Sequence, residues 1–439
     1  MTEPANPTAT VSATEPHAKT QKSTHLGAWV ALLLALASAA LAWGAWTLLA
    51  PAAKLDEAGF FERAGAGRFD EAESLLRTHL KRHRDDTRAK FLLAQLLVER
   101  PDRVDSGAQS EDAAEALELL DAIAESPPTK SPDSPAVRQY YRGKADYARK
   151  HWDAAEAAWL EALRLDPTVP EAGFALLDLY YLQLRRRDGR ELALKLFETE
   201  PDPGDRVKLL TALLFLDAVK PDPSSLVPIL EGVAQADPRA LISRAALGLA
   251  LVRANQLDRG VQVLKTAARD ASDKATDSRT RQIVVEDLLT GLDQASRADE
   301  LKPVLDTLSE SDRENPIFAR FFGLEAQHRG DWPAAITAYE RALKRDPSDF
   351  ETRARLSQAM RFASREAESQ QLTEALARER ETVKGLIPLH DQLAALPASQ
   401  GLEAEALFAR AAAAYEAMTG RAEEQAAWHR VLEDAATTK

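Results

Sequence analysis

Two histidines four residues apart are the best-placed pair of side chains for chemistry in this sequence. His79 and His83 lie in the run HLKRH, so on a helix both rings share one face and could hold a divalent metal ion. No Glu lies between them, and Lys and Arg crowd the pair. We therefore interpret the run as a solvated helix face. A metal protein built on this pair is the alternative, which a metal titration would test.

Signals of catalysis are missing elsewhere in the sequence. There is no phosphate-binding glycine loop, no GxGxxG motif and no nucleophile elbow. The chain has no cysteine, which excludes disulfides, thiolate metal sites and a thiol nucleophile. The sequence therefore predicts a protein that is not an enzyme, with no catalytic residues, no metal and no cofactor.

Composition and charge favour a helical protein that does not bind nucleic acid. Aromatic residues make up only 6% of the 439 residues, and 19 Gly and 23 Pro are few for that length. A β-sandwich or barrel would need more turn residues and more aromatic positions. The net charge is −13, whereas nucleic-acid binding requires a basic surface.

One long uncharged stretch near the N-terminus predicts a membrane anchor. Residues 1–25 are rich in Thr, Ala, Pro and Ser and are predicted to be a disordered tail. No charged residue occurs from 26 to 53, and about 20 apolar residues suffice to cross a bilayer as a helix. Trp29, Trp43 and Trp46 lie near its ends, where indole rings settle at membrane interfaces. We predict a single-pass transmembrane helix over 26–50.

Two alternatives exist for this stretch, and the positive charges on its two sides are nearly balanced, so they hardly favour one orientation. It could be a signal peptide cleaved near the run APA at 50–52, or a buried core helix, although a helix apolar on every face is rare outside membranes. Lys19 and Lys22 precede the stretch, while Lys54 and Arg63 follow it. We expect the short tail to stay in the cytoplasm and the body to be exported across a bacterial inner membrane.

The rest of the chain contains a repeated phrase. KHWDAAEAAWLEALRLDP spans 150–167 and GDWPAAITAYERALKRDP spans 330–347, so equivalent positions are 180 residues apart. Their apolar positions recur at spacings of three and four, which predicts one buried face of an α-helix. The shared positions are Trp152, Ala155, Trp159, Ala162 and Pro167 in the first copy, and Trp332, Ala335, Tyr339, Ala342 and Pro347 in the second.

These phrases, together with Gly143 and Gly323, each 24 residues before the closing proline, resemble tetratricopeptide repeats (TPR). That family is built from 34-residue helix–turn–helix units with a small residue in the first helix and aromatic and Ala positions in the second. Units 136–169 and 316–349 match closely. Looser matches lie near 53–86, 207–240 and 241–274.

The resemblance implies an all-α fold, a right-handed α-solenoid of about nine or ten TPR-like helical hairpins after the transmembrane helix. We expect the solenoid over 53–382 and an interruption over 383–401. A C-terminal helical pair over 402–439 then serves as a cap. Insertions are expected near 101–111, 125–135 and 271–281, because spacings between the units exceed whole multiples of 34.

The family pattern also places partner-binding side chains on the first helices of two adjacent units, where they would line a concave groove. Aromatic rings there give contact area at low entropic cost, and charged groups could orient a peptide. The alternative is that the rings fill space between units. Some family members clamp a terminal carboxylate with paired Lys and Asn, but this chain offers only the Lys. The predicted groove residues are Tyr140, Lys144, Tyr147, Phe174, Asp178 and Tyr181.

The layout predicts a membrane-anchored TPR scaffold whose array binds other proteins or peptides. Its arrangement resembles bacterial anchored repeat proteins that assist envelope protein assembly or maturation. A cytosol-facing receptor with the same layout remains an alternative. So does a self-associating structural array, since Ala40 and Gly44 are spaced for helix packing and a homo-oligomer is possible.

Overall fold

The computed structural model describes residues 55–103, 107–124, 134–396 and 402–437. These residues form α-helices joined by turns and two short 3₁₀ turns, and they contain no strand, which confirms the predicted all-α class. The predicted tail 1–25, the predicted transmembrane helix 26–50 and most of the predicted insertion 125–135 lie outside the described residues. Within the described ranges, no helix is both long enough and apolar enough to span a bilayer.

The structure describes 21 α-helices, and most consecutive helices pack against each other. The first ten are α1 (Glu57–Gly65), α2 (Phe69–Arg82), α3 (Thr87–Glu99), α4 (Gly107–Ala124), α5 (Pro135–Ala148), α6 (Trp152–Leu165), α7 (Pro170–Leu182), α8 (Arg186–Thr199), α9 (Pro203–Ala218) and α10 (Pro223–Ala236). The others are α11 (Leu241–Arg253), α12 (Leu257–Ala271), α13 (Ser278–Gln294), α14 (Leu301–Asp306), α15 (Glu310–Glu314), α16 (Pro316–His328), α17 (Trp332–Arg345), α18 (Phe350–Phe362), α19 (Glu366–Ala394), α20 (Leu402–Glu416) and α21 (Ala422–Thr437).

The two closely matched units each form a helical hairpin in which a glycine lets the helices approach. In the α5–α6 hairpin, a Cβ added to Gly143 would lie 2.3 Å from Nε1 of Trp159. The equivalent addition at Gly323, in the α16–α17 hairpin, would lie 2.5 Å from the Tyr339 ring. The small residue and the aromatic residue of the repeat are therefore one packing unit, because the ring occupies the space that a side chain would need.

A turn residue in the left-handed conformation marks the hairpins of the array. Lys150 has φ of 64° and Gly330 has φ of 76°, in the turns that open the two repeated phrases. Leu184 (φ 62°) and Ser364 (φ 62°) lie 34 residues further on in each case. This conformation favours glycine, so non-glycine residues there carry some strain that packing of the hairpin must offset. The other positions of this kind are Gly67, Asn255, Ser296 and Gly420.

The helices bury three separate hydrophobic cores. The first core contains side chains of α1–α7 with α10 and α11, and the second contains side chains of α11–α13 and α16–α18. The third core joins α8 and α9 to the end of α19 and to α20 and α21. The chain therefore leaves the first core at α8, returns to it at α10, and comes back to α8 and α9 only with its last helices.

The predicted unit near 207–240 is divided between two of these cores. Leu209 and Leu213 of α9 lie in the third core, whereas Leu226 and Leu230 of α10 lie in the first. The two helices therefore do not form the packed hairpin that the sequence spacing predicts. Sequence spacing cannot predict this division, because the apolar face of a helix does not indicate which neighbouring helix will cover it.

The predicted interruption over 383–401 begins later in the structure, because α19 continues to Ala394. Leu386, Leu389 and Leu393 recur at helical spacing, are buried, and belong to the third core. Packing against α9 thus extends the helix through the first part of the predicted interruption. The following pair, α20 and α21, packs on the same core.

Two of the predicted insertions, at 101–111 and 271–281, are shorter than the sequence predicts. Residues 101–103 form a 3₁₀ turn and α4 already begins at Gly107, within the predicted insertion 101–111. In the predicted insertion 271–281, α12 ends at Ala271 and α13 begins at Ser278. Asp277 caps α13 by accepting a hydrogen bond from the Thr280 backbone N–H at 2.9 Å.

Candidate functional site

The first three predicted groove residues lie on α5. Tyr140 is buried, and the Lys144 Nζ lies 5.6 Å from the centroid of its ring. That Nζ also donates to Glu99 Oε1 of α3 at 3.2 Å. Burial alone would lower the pKa of Lys144, but the Glu99 carboxylate raises it, so the lysine stays charged. Lys144 therefore already has an anionic partner, and Tyr140 contributes mainly to packing.

Tyr147 has a packing role and a partly open face. Its ring stacks on Trp152 with centroids 5.4 Å apart and planes 1° from parallel, and lies 5.8 Å from Trp159. The side chain is nevertheless only half-buried. Burial raises its pKa, and the carboxylate of Asp178 raises it further. Asp178, on α7, therefore lies near Tyr147, on α5.

The other three predicted groove residues lie on α7, and all are half-buried. Phe174 and Tyr181 border the third core. The Tyr181 ring lies 5.1 Å from Phe215 of α9, and Phe215 lies 5.1 Å from His390 of α19. The structure thus divides the six predicted residues into an α5 set that borders the first core and an α7 set that reaches towards the third.

Asp178 is the one predicted groove residue with an unmet electrostatic requirement. Among the described residues, its carboxylate has neither a hydrogen-bond partner nor an ion-pair partner. Burial raises its pKa to about 7, because a carboxylate withdrawn from water without a cation is disfavoured. A positively charged group brought close to Asp178 would remove that cost.

Glu171 is a further acidic residue of this region that the sequence analysis did not single out. It lies seven residues before Asp178 on α7, which places the two on the same helix face. Burial, together with the charges of Asp205 and Glu200, raises the pKa of Glu171 to about 7 although Lys144 acts in the opposite direction. The spacing of seven residues between Glu171 and Asp178 is the sequence feature that could have identified Glu171. We call Tyr147, Glu171, Phe174, Asp178 and Tyr181 the α5–α7 surface.

The histidine pair does not assemble a metal site. The rings of His79 and His83 lie 4.7 Å apart, as expected for neighbours on one face of α2. His79 Nε2 is 2.7 Å from Asp86 Oδ2, so this imidazole has a carboxylate partner in the loop before α3. Over the described part of the chain, no group of three or more His, Asp or Glu residues could hold a metal ion.

No protein-family model matches this chain. A curated relative, the cellulose synthase operon protein C of Pseudomonas fluorescens, is 32% identical over 168 residues. That match covers 37% of this chain and 12% of the relative, so the chain spans only a small part of the relative's length.

Several solved helical proteins are similar to this chain at low identity. The human IFIT1 dimer with m7Gppp-AAAA shares 12% identity with a TM-score of 0.34, over 87% of this chain and 76% of the other. Yeast Tom70 shares 12% identity with a TM-score of 0.30, over 86% and 87%. The P58(IPK) TPR domain shares 11% with a TM-score of 0.23, over 70% and 96%. The TPR-like description of this chain rests instead on its own hairpins.

Proposed function

We propose that this chain is a non-catalytic TPR-like scaffold that binds a protein partner through the α5–α7 surface. The observation that carries the proposal is the carboxylate of Asp178, which is half-buried and has no cationic partner among the described residues. Tyr147, Phe174 and Tyr181 offer aromatic area around it. A Lys or Arg side chain of the partner would pair with Asp178 and pack its methylene groups against these rings.

The acidic surroundings favour a basic segment of the partner. Glu171 lies on the same face, and Glu200 and Asp205 lie close enough to raise its pKa. The cations here already have partners: Lys144 pairs with Glu99, Lys208 pairs with Asp205 at 2.6 Å, and Arg206 donates to the Glu200 carbonyl. Among the described residues, Glu171 and Asp178 have no ion-pair partner. A partner with two basic residues about 10 Å apart would match Glu171 and Asp178, since seven helical residues rise by roughly that distance.

We also propose that the scaffold acts at a bacterial membrane, anchored by residues 26–50 with its body exported. The uncharged stretch in the sequence supports the anchor. The similarity to a protein named for a cellulose synthase operon in Pseudomonas supports an envelope role. Tethering would raise the effective concentration of the binding surface near partners in the same membrane.

The test compares the full chain with Asp178→Asn by quantitative cross-linking and capture from native membranes. Asn keeps the side-chain volume and removes the charge, so the variant should fold normally and lose partners that carry the basic segment. Asp299→Asn is the matched control, because Asp299 is exposed and lies elsewhere in the array.

Capture should also depend on pH in a way that identifies the group. Because the pKa of Asp178 is about 7, ionisation between pH 6 and pH 8 should strengthen capture by the native chain and leave the Asn variant unaffected. Equal partner recovery by both chains at pH 8 would rule out this surface. Protease digestion of intact cells in the same experiment would distinguish an exported body from a cytosolic one.

A further inference from the structure

A second surface of the array, at α18 and the first half of α19, is left uncovered. A cleft of about 340 Å³ runs between the two helices. Phe350, Ala354 and Arg361 line it from α18, and Thr373, Ala377 and Arg380 line it from α19. Leu376 forms its buried floor and belongs to none of the three cores. We call this surface the α18–α19 face.

The path of the last helices explains why this face is open. Helix α18 uses Leu356, Ala359 and Met360 in the second core and Arg353 and Ser357 against α19. Its remaining surface, at Ala354, Gln358 and Arg361, is exposed. The end of α19 turns to the third core with Leu386 and Leu389, and α20 and α21 pack there too. Ala354, Gln358, Thr373 and Ala377 are therefore exposed, and no described helix covers them.

The preceding hairpin shows what shape would fit this face. Gln358, Thr373 and Ala377 lie 34 residues after Leu324, Tyr339 and Leu343 of the α16–α17 hairpin. There, the earlier residues share the second core with the next helix, α18. The α18–α19 face therefore occupies the position at which the array elsewhere receives one further helix. Small side chains at Ala354 and Ala377 leave room for a helix backbone to approach.

The charge of the face indicates the chemistry of that helix. Arg361 and Arg380 are exposed and have neither a hydrogen bond nor an ion pair from their side chains with the described residues. Arg380 lies over the Phe350 ring at 5.4 Å, and Arg361 lies over Phe362 at 5.5 Å. No carboxylate lines the cleft. This is unusual in a chain of net charge −13, in which most arginines of the array have acidic partners.

The polar side chains on the floor of the cleft already hydrogen-bond to one another. The hydroxyl of Ser357 lies 3.1 Å from that of Ser369 and 2.8 Å from that of Thr373. Ser369 also donates to the Ser357 backbone carbonyl at 2.8 Å. These groups satisfy one another, so a docking helix needs only to cover Leu376 and Phe350 with small apolar residues and to reach the two arginines.

We propose that the α18–α19 face binds one amphipathic α-helix of a protein partner, with Ala and Leu facing the cleft and Asp or Glu on its flanks. Pairing with the carboxylates would neutralise Arg361 and Arg380 while the apolar stripe covers Leu376. This surface is separate from the α5–α7 surface, so the scaffold would hold two partner segments at once.

The experiment uses two fluorescein-labelled helical peptides and the full chain. Both peptides carry the same Ala/Leu stripe; one has Glu on its flanks and the other has Lys at the same positions. Fluorescence anisotropy should give saturable binding of the Glu peptide, with the Lys peptide at least about tenfold weaker. Arg361→Gln together with Arg380→Gln should weaken the Glu peptide about tenfold, and Ala377→Trp should abolish binding by filling the cleft.

Controls separate this surface from others. Arg378→Gln changes an exposed arginine of α19 that does not line the cleft, and it should leave affinity unchanged. Asp178→Asn should also have no effect, so failure of the α5–α7 surface would not affect this result.

Three results would overturn the proposal. Failure of the Glu peptide to saturate by about 1 mM, or equal binding of the two peptides, would mean that the face is the solvated end of the array. The third result is displacement of the peptide by the unlabelled chain, with sedimentation showing dimers that the double Arg variant abolishes. The face would then bind a second copy of this chain.

Discussion

Arg421 donates a hydrogen bond to the Asp217 carboxylate at 2.8 Å, across 204 residues of chain. Both side chains are buried. The hydroxyl of Tyr415 donates to the other Asp217 oxygen at 3.1 Å, and Arg421 also donates to Glu424 at 2.8 Å. Glu424 in turn pairs with Arg190 of α8. This network fixes the position of the C-terminal pair against α8 and α9, whereas the apolar contacts of the third core supply the attraction.

We expect Arg421→Met to loosen the C-terminal pair without unfolding the rest of the array. Removing Arg421 leaves Asp217 with Arg186 and Glu424 with Arg190 as the remaining cations. Both buried carboxylates lose one hydrogen bond, which costs about 1–3 kcal/mol of local stability. Hydrogen exchange followed by mass spectrometry should show faster exchange over 402–437 and over α8 and α9, with 136–169 unchanged.

Arg430→Met is the control for that experiment. Arg430 also joins α21 to α8, through Glu198, but both side chains are largely exposed. An exposed pair of this kind contributes about 0–1 kcal/mol, so exchange should hardly change. Similar acceleration by both variants would mean that the buried network has no special role in docking the pair.

The Asp217–Arg421 pair also marks a limit of what the sequence predicts about the fold. Trp152 and Trp159 share one helix face at a spacing of seven, so periodicity sufficed to predict α6 and its hairpin. The pairing of Asp217 with Arg421 has no such signal, since it depends on where α9 leaves the stack. The predicted site shares this limit. Periodicity places Tyr147 on one face of α5 with Tyr140 and Lys144, but its stacking on Trp152 depends on the geometry of the turn.

Glu156 forms the second buried charge cluster, and we expect Glu156→Gln to destabilise the first half of the array. Its carboxylate accepts hydrogen bonds from Arg185 at 2.6 Å and from the Tyr180 hydroxyl at 3.1 Å. The guanidinium of Arg185 is itself buried and lies over the Tyr180 ring at 4.3 Å. The neutral amide removes the buried carboxylate partner of that cation and leaves it Asp188 alone as a charged partner, at 2.7 Å. The free energy of unfolding should therefore fall by about 1–3 kcal/mol.

The same helix supplies the control for this variant. Glu161 pairs only with Arg164, three residues later, and that pair lies in solvent. Glu161→Gln should leave the melting temperature unchanged, because water screens an exposed pair. If thermal denaturation followed by circular dichroism moves equally for both variants, the buried pair at Glu156 adds nothing beyond a surface contact.

The buried carboxylate of Asp287 should make the stability of the fold depend on pH. Burial, together with the charge of Glu286, raises its pKa to about 8 although Arg185, Arg253 and Arg320 act in the opposite direction. Its Oδ2 atom is buried without a hydrogen-bond partner among the described residues. The folded state therefore favours the protonated acid, whereas the unfolded chain ionises near the ordinary value of 3.8. The contribution of Asp287 to stability is thus lost as pH rises from about 4 to about 8.

We expect Asp287→Asn to remove this loss. The variant should equal the native chain near pH 4 and exceed it increasingly as the pH rises, by up to about 5 kcal/mol above pH 8, since each unit of pKa difference is worth about 1.4 kcal/mol. Urea denaturation at a series of pH values measures the difference, with exposed Asp299→Asn as the reference. A gap between native and variant that stays constant with pH would show that Asp287 ionises normally in the folded chain.

Two glycines on different helices should respond oppositely to alanine. The Cβ of Gly143→Ala would lie 2.3 Å from the Trp159 indole, and that ring is held by a hydrogen bond from Nε1 to the Tyr140 carbonyl at 3.1 Å. The ring cannot move aside cheaply, so we expect a loss of about 2–3 kcal/mol. Gly385 lies within α19 with open space around its Cα, so Gly385→Ala should stabilise the chain by about 0.5–1 kcal/mol. Urea denaturation of the two variants checks both signs, and a neutral Gly143→Ala would mean that the α5–α6 hairpin packs less closely than described.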